Sequence, residues 1–182
     1  MSTRRLFIAL YPPPEVAERL LARAVARNVP GARWVQPDHV HLTVHFLGET
    51  DDRDLPRVSE SVERAVAGLE PFTLSITGLI SLPAHGSPRL IAARCDDNST
   101  LTETHQRLVA RLARPRRRSG GRYLPHLTLA RFGPAGGPRH AAVWDEAMWI
   151  AFRVDHLTLV ESTLRPDRAE HRPLARFPYL GR

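Results

Sequence analysis

Three copies of His-Leu-Thr punctuate the chain, at His41-Leu42-Thr43, His126-Leu127-Thr128 and His156-Leu157-Thr158. Each lies in an apolar stretch rich in β-branched residues and reads as strand. Successive strand side chains point to opposite faces, so in each copy His and Thr share a face while Leu enters the core. Two such strands side by side would gather two imidazoles and two hydroxyls around one small anion. Imidazole titrates near neutral pH, so one ring can act as base while the other acts as acid. Hydroxyls can donate hydrogen bonds to the non-bridging oxygens of a phosphate. The chemistry that fits is acid–base catalysis on a phosphate, with a bell-shaped pH dependence and no need of a metal.

The other histidines are weighed against that pair. Strict alternation places His39, His41 and His45 on one face of one strand, a grouping that could hold a metal. No carboxylate or cysteine accompanies them at ligand spacing, and Asp38 would face the other way, so neither metal nor cofactor is expected. His41 and His126 lie 85 positions apart in a chain of 182, close to half its length. His156 breaks that spacing and is expected to stand outside the site. His105 falls on the apolar side of a helix and reads as structural, and His85 and His140 fall in loops.

Composition narrows the class. A chain of this length can bury a core as one domain or as two small lobes sharing a core. The single cysteine, Cys95, excludes an internal disulfide and fits a reducing compartment. The apolar run at residues 6–11 is cut off by Pro12-Pro13-Pro14, too short for a leader or a membrane span, so a cytoplasmic protein is expected. All 26 basic residues are Arg. A GC-rich coding sequence accounts for the missing Lys, but not for the asymmetry. Residues 1–90 hold 10 Arg and 10 acids, whereas residues 91–182 hold 16 Arg and 9 acids. The excess is densest at Arg111, Arg114, Arg116, Arg117, Arg118 and Arg122, and an Arg fork suits the oxygens of a phosphate.

The elements that must position these residues follow from periodicity. Strands are expected at residues 4–10, 39–47 (ended by Gly48), 72–77, 89–94, 126–132 and 152–160. Pro14 opens a helix with Val16, Leu20, Leu21, Ala24 and Val25 on one face. Residues 54–69 form a second helix, and a Thr100/Glu103 capping box opens a third. Residues 133–138 read as a turn-rich linker and the tail as irregular. Each half runs strand, helix, His-Leu-Thr strand, helix, strand, which suggests two similar lobes about a pseudo-twofold axis.

With those elements in place, Trp34-Val35-Gln36-Pro37-Asp38-His39-Val40-His41-Leu42-Thr43-Val44-His45-Phe46-Leu47-Gly48 resembles the first signature of the 2H phosphoesterases. The likeness is greatest to the bacterial RNA 2',3'-cyclic phosphodiesterases, also called 2'-5' RNA ligases. Pro125-His126-Leu127-Thr128-Leu129-Ala130-Arg131 resembles the second signature. Arg5-Leu6-Phe7-Ile8-Ala9-Leu10 and the stretch with Glu161-Ser162 resemble the flanking strands. Where the family tail often carries Tyr, this chain has His171. The resemblance implies an α+β fold over residues 1–182 as one domain. It is bilobal, with two pseudo-twofold-related lobes of antiparallel sheet, helices outside, and a central cleft carrying the two H-x-T motifs. It implies His41 as proton donor and His126 as proton acceptor, roles that the residues alone leave open, with Thr43, Thr128 and Arg131 on the substrate. Strict alternation would turn Arg131 away from the cleft unless the strand ends or bulges there.

The implied activity is hydrolysis of RNA 2',3'-cyclic phosphate ends to 2'-phosphomonoesters, with 2'-5' ligation as a minor reverse course. The partners are such RNA ends or cyclic nucleotides, without a membrane, and a monomer is expected. The alternatives are a phosphodiesterase for a small cyclic phosphate or a 2'-5' oligonucleotide, and an RNA-binding module without turnover.

Overall fold

The structure, a computed structural model of the chain, describes residues 2–112, 123–138, 150–165 and 169–181. Strand β1 (Thr3–Leu10) leads into α1 (Pro14–Val25), β2 (Arg33–Trp34), β3 (Leu42–Asp51) and α2 (Leu55–Val66). Then come β4 (Phe72–Leu82), β5 (Leu90–Cys95), α3 (Ser99–Leu112) and β6 (His126–Arg131), followed by β7 (Ile150–Val154), β8 (His156–Leu164) and β9 (Ala169–Pro178). The strands of the described residues form one sheet in the order β7-β4-β5-β6-β3-β1-β8-β9, with β2 beside β6. Every strand pairing in it is antiparallel.

The sheet has a centre of near symmetry. β3 meets β6 at the rung Leu42–Leu127. One lobe runs outward as β3-β1-β8-β9, the other as β6-β5-β4-β7. The two expected lobes are therefore present, but they are not the two halves of the sequence. β4, from the first half, lies against β5, and β8, from the second, lies against β1. The halves exchange their third strands, so each lobe is built from both.

The three α-helices among the described residues cover one face of the sheet. Leu20 of α1, Val62 of α2 and Leu108 of α3 join Leu6, Ile8, Leu10, Leu42, Leu74, Leu127 and Leu159 in one core. Leu42 and Leu127 are wholly buried, and burial of a side chain of this size contributes about 1.5–3 kcal/mol. The rung that joins the lobes is thus anchored from the helix side. Among the described residues the opposite face holds a small apolar cluster of Phe7, Ala9 and Val160 with Tyr11 and Phe46. That uncovered face is the cleft.

Several expected boundaries shift, for identifiable reasons. β3 starts at Leu42 because Pro37 opens a one-turn 3-10 helix, Pro37–His39, closed by Val40 N–H donating to Pro37 C=O at 3.2 Å. It does not end at Gly48, which takes φ +73° beside an extra residue, Leu47, and lets the strand continue to Asp51. Residues 152–160 are parts of two strands parted at Asp155, β7 on β4 and β8 on β1, in different lobes. Apolar alternation runs through that break and hides it. The tail is not irregular, since β9 pairs with β8 along its length. Pro173 and Pro178 obscure this strand in the sequence, yet an edge strand tolerates proline. The cap of α3 is Asn98, whose Oδ1 accepts the Leu101 N–H at 3.1 Å, while Glu103 pairs instead with Arg107 at 2.8 Å. The expected second-half helix and the Arg114–Arg122 cluster fall outside the described residues.

Candidate active site

The two signature histidines are held in the same way. His41 Nδ1–H donates to the His39 C=O at 2.7 Å, and His126 Nδ1–H donates to the Leu124 C=O at 2.8 Å. A carbonyl only accepts, so each ring carries a proton on Nδ1 and leaves Nε2 for chemistry. Antiparallel register carries the geometry outward from the Leu42–Leu127 rung. His41 falls opposite Thr128 and Thr43 opposite His126, with all four side chains on the cleft face. The two imidazoles are then diagonal neighbours, about 7–8 Å apart at the backbone. That gap fits a phosphate between two Nε2 atoms.

The phase of Arg131 is settled by a bulge. Against β5, residue 130 pairs with Ile91 and residue 128 with Ala92, so Leu129 is an extra residue in β6. Leu129 packs in the main core, while Ala130 and Phe132 bury with Ile91 beneath Trp34. Arg131 is thereby turned to the cleft face. Its positive charge accordingly disfavours protonation of both His41 and His171. β3 has the equivalent bulge at Val44, which turns Phe46 to the cleft and His45 to the helices. The expected grouping of His39, His41 and His45 on one face therefore fails. His45 instead faces His105 of α3, ring centres 6.5 Å apart. Among the described residues no group of three or more His, Cys, Asp or Glu is placed to hold a metal ion.

An aromatic wall stands beside His41, and sequence reasoning saw little of it. Phe7 lies 5.0 Å from the His41 ring and Tyr11 5.6 Å, while His171 from β9 meets it edge-on at 5.0 Å. His171 also lies 4.9 Å from His39, and its Nδ1 is buried without a hydrogen-bond partner among the described residues. Burial pushes His41 down to about 4, the charges of His171, Arg131 and His39 push the same way, and the bond to the His39 carbonyl opposes them. Burial, then His39 and Arg131, also bring His171 to about 4. The signal for His171 was its place where relatives carry Tyr. Its reach across three strands was not readable.

Beside His126 the lining differs. Arg94 pairs with His126 across β5 and β6, and its Nε donates to Thr77 Oγ1 at 3.1 Å. The pseudo-twofold gives Tyr11 the matching place in the other lobe. A cavity of about 610 Å³ lined by Arg94, Thr77, Tyr123 and Leu124 opens there. His156 stays apart, at the start of β8 with its Nδ1 on Asp155 Oδ1. β1 separates its strand from β3, so it is two strand spacings, roughly 10 Å, from the strand of the first motif and three from β6, which carries His126.

The cleft is thus floored by one antiparallel rung with an Nδ1-anchored H-x-T motif on either side. The family model of the 2'-5' RNA ligase superfamily matches residues 12–165, and the chain belongs to that family. Among curated relatives, the RNA 2',3'-cyclic phosphodiesterase of Thermotoga maritima is 26% identical over 97% of this chain and 96% of its own length. That of Thermus thermophilus is 29% identical over 97% and 91%. Among solved structures, TT0787 of Thermus thermophilus superposes with a TM-score of 0.81 at 29% identity, covering 97% of this chain and 98% of that one. E. coli LigT complexed with 3'-AMP superposes with 0.74 at 25% identity, with the same coverage. No helix among the described residues is long and apolar enough to cross a membrane.

Proposed function

We propose that this protein hydrolyses RNA 2',3'-cyclic phosphate ends to 2'-phosphomonoesters by two-histidine acid–base catalysis, without a metal. The observation that carries the reading is the mirrored pair of imidazoles, each with Nδ1 on the carbonyl two residues earlier and each beside the other lobe's threonine. His126 Nε2 takes a proton from water, and the water oxygen attacks phosphorus. The bond to the ribose 3' oxygen breaks, and His41 Nε2–H delivers a proton to that oxygen. Thr43, Thr128 and Arg131 hold the non-bridging oxygens, on which negative charge accumulates. The family relatives named RNA 2',3'-cyclic phosphodiesterase support the substrate. A 5'-hydroxyl of a second RNA end in place of water would give the 2'-5' joined product, a minor course because water outnumbers it.

The direct test is turnover of a 2',3'-cyclic mononucleotide and a cyclic-ended oligonucleotide after exhaustive chelation. Full activity and a 2'-phosphate product are expected. Loss with EDTA and recovery with a divalent cation would refute the mechanism, and a 3'-phosphate product would reverse the substrate between the two histidines.

The low value of His41 adds a second expectation. An anion beside an imidazole favours its charged form and raises its pKa. The substrate phosphate therefore arms its own acid. The limb of kcat/KM due to His41 reports the free enzyme and should lie well on the acid side of neutrality, whereas the same limb in kcat should lie at higher pH. Coincident limbs in the two profiles would remove His41 from the role of donor.

A further inference from the structure

The bulges that shape the cleft each leave a carbonyl outside the ladder, and the two lobes satisfy it differently. In β6 the Leu129 C=O accepts the Val35 backbone N–H at 2.9 Å. In β3 the matching Val44 C=O accepts the Nδ1–H of His105, a side chain of α3, at 2.7 Å. His105 stands in for a backbone amide. Its ring stacks on Tyr123 with centres 3.9 Å apart and planes 7° from parallel. The Tyr123 hydroxyl in turn donates to the Thr43 C=O at 3.4 Å. The residue after Tyr123 is Leu124, whose carbonyl holds His126. The stacked pair thus holds the two peptides that flank Val44, Thr43–Val44 through its carbonyl and Val44–His45 through its carbonyl, in one lobe and abuts the anchor of His126 in the other.

We infer that His105, with Tyr123, is a positioning residue that fixes the Thr43 hydroxyl relative to His126 beneath the phosphate. This rests on the phosphoesterase reading. Without the His105 donor, the Val44 carbonyl loses its partner, and the peptide can rotate to find water. Rotation of that Val44–His45 peptide shifts Val44 and His45, and through them Thr43 before and Phe46 after. His105 and Tyr123 bond to backbone carbonyls and stack on each other, so the effect falls on alignment and not on acid–base chemistry.

The substitutions that separate donor from ring are His105→Phe, which keeps the stack, and His105→Asn, whose amide nitrogen occupies the place of Nδ1. With thermal melts confirming the fold, His105→Phe should lower kcat on a 2',3'-cyclic mononucleotide at least tenfold, with a smaller change in KM. His105→Asn should restore most of it. In a Thr43→Val background His105→Phe should have little further effect, because its action passes through Thr43. An undiminished kcat, a folded Asn variant without rescue, or an equal loss in the Thr43→Val background would overturn the proposal. Should His105→Phe not fold, His105→Asn is compared with His105→Gln, whose amide nitrogen sits at the Nε2 position, and equal activity of the two would overturn it. A wild-type protein without turnover would sink the phosphoesterase reading itself. Affinity for inorganic phosphate, measured by calorimetry, then still distinguishes His105→Phe from His105→Asn.

Discussion

His41→Ala and His126→Ala should each lower kcat by about 10²–10⁴ on a 2',3'-cyclic mononucleotide while leaving the protein folded. The magnitude is that of losing one positioned acid or base. The fold should survive because each ring is only partly buried, on the open face, and its Nδ1 bonds to a carbonyl two residues away in its own segment. Truncation leaves a wetter cleft and no dry cavity. The double variant should be little worse than either single one, since groups acting as a unit are not additive. His156→Ala, two strands off and held by Asp155, should turn over normally. Single-turnover rates, with circular dichroism to verify folding, decide the matter. A fully active His126→Ala protein beside an inactive, folded His156→Ala protein would force a different pairing of strands.

Stability should fall steeply between pH 6.5 and 4. His41, His45 and His171 are each brought to about 4 in the folded state, first by burial, from an ordinary value of 6.5. Between those values the unfolded chain binds protons that the folded one refuses, so acid draws the equilibrium toward unfolding. The stabilisation is complete above pH 6.5 and is lost as pH falls to about 4. For His41 alone the shift corresponds to roughly 3 kcal/mol as an upper figure. His41 and His171 touch, so their titrations are joint and their effects do not add. Asp51 and Asp155, whose carboxyls are held below their ordinary value by Arg53 and His156, act only at still lower pH. Melting temperatures across this window measure the slope. His45→Gln, which removes a titrating group on the helix side, should flatten it, and phosphate in the cleft should offset part of it. A melting temperature constant from pH 6.5 to 4.5 would contradict the burial of these rings.

What could be read from the chain was whatever is local and periodic. The His-Leu-Thr spacing put His and Thr on one face, because a strand alternates wherever it is regular, and the structure leaves His41/Thr43 and His126/Thr128 there. The helix stripes at Leu20, Val62 and Leu108 were legible for the same reason. Arg131, Phe46 and His45 were not, since one inserted residue in each strand reverses the alternation. Only pairing against β1 and β5 reveals the insertions at Val44 and Leu129.

The longer-range features were decided by tertiary structure alone. Asp155 parts two strands that share one apolar pattern, because one pairs with β4 and the other with β1. β9 is a strand despite Pro173 because it lies at an edge. His171 meets the His41 ring from β9, three strands away in the sheet order. The sequence by itself determined which residue types could do chemistry and how each is aimed within its own strand, both set by backbone geometry over a few residues. Which strands become neighbours, where a bulge reverses a face and which distant ring closes the site follow from burying one apolar face under three helices. That choice is made by the whole chain at once, and no local window contains it.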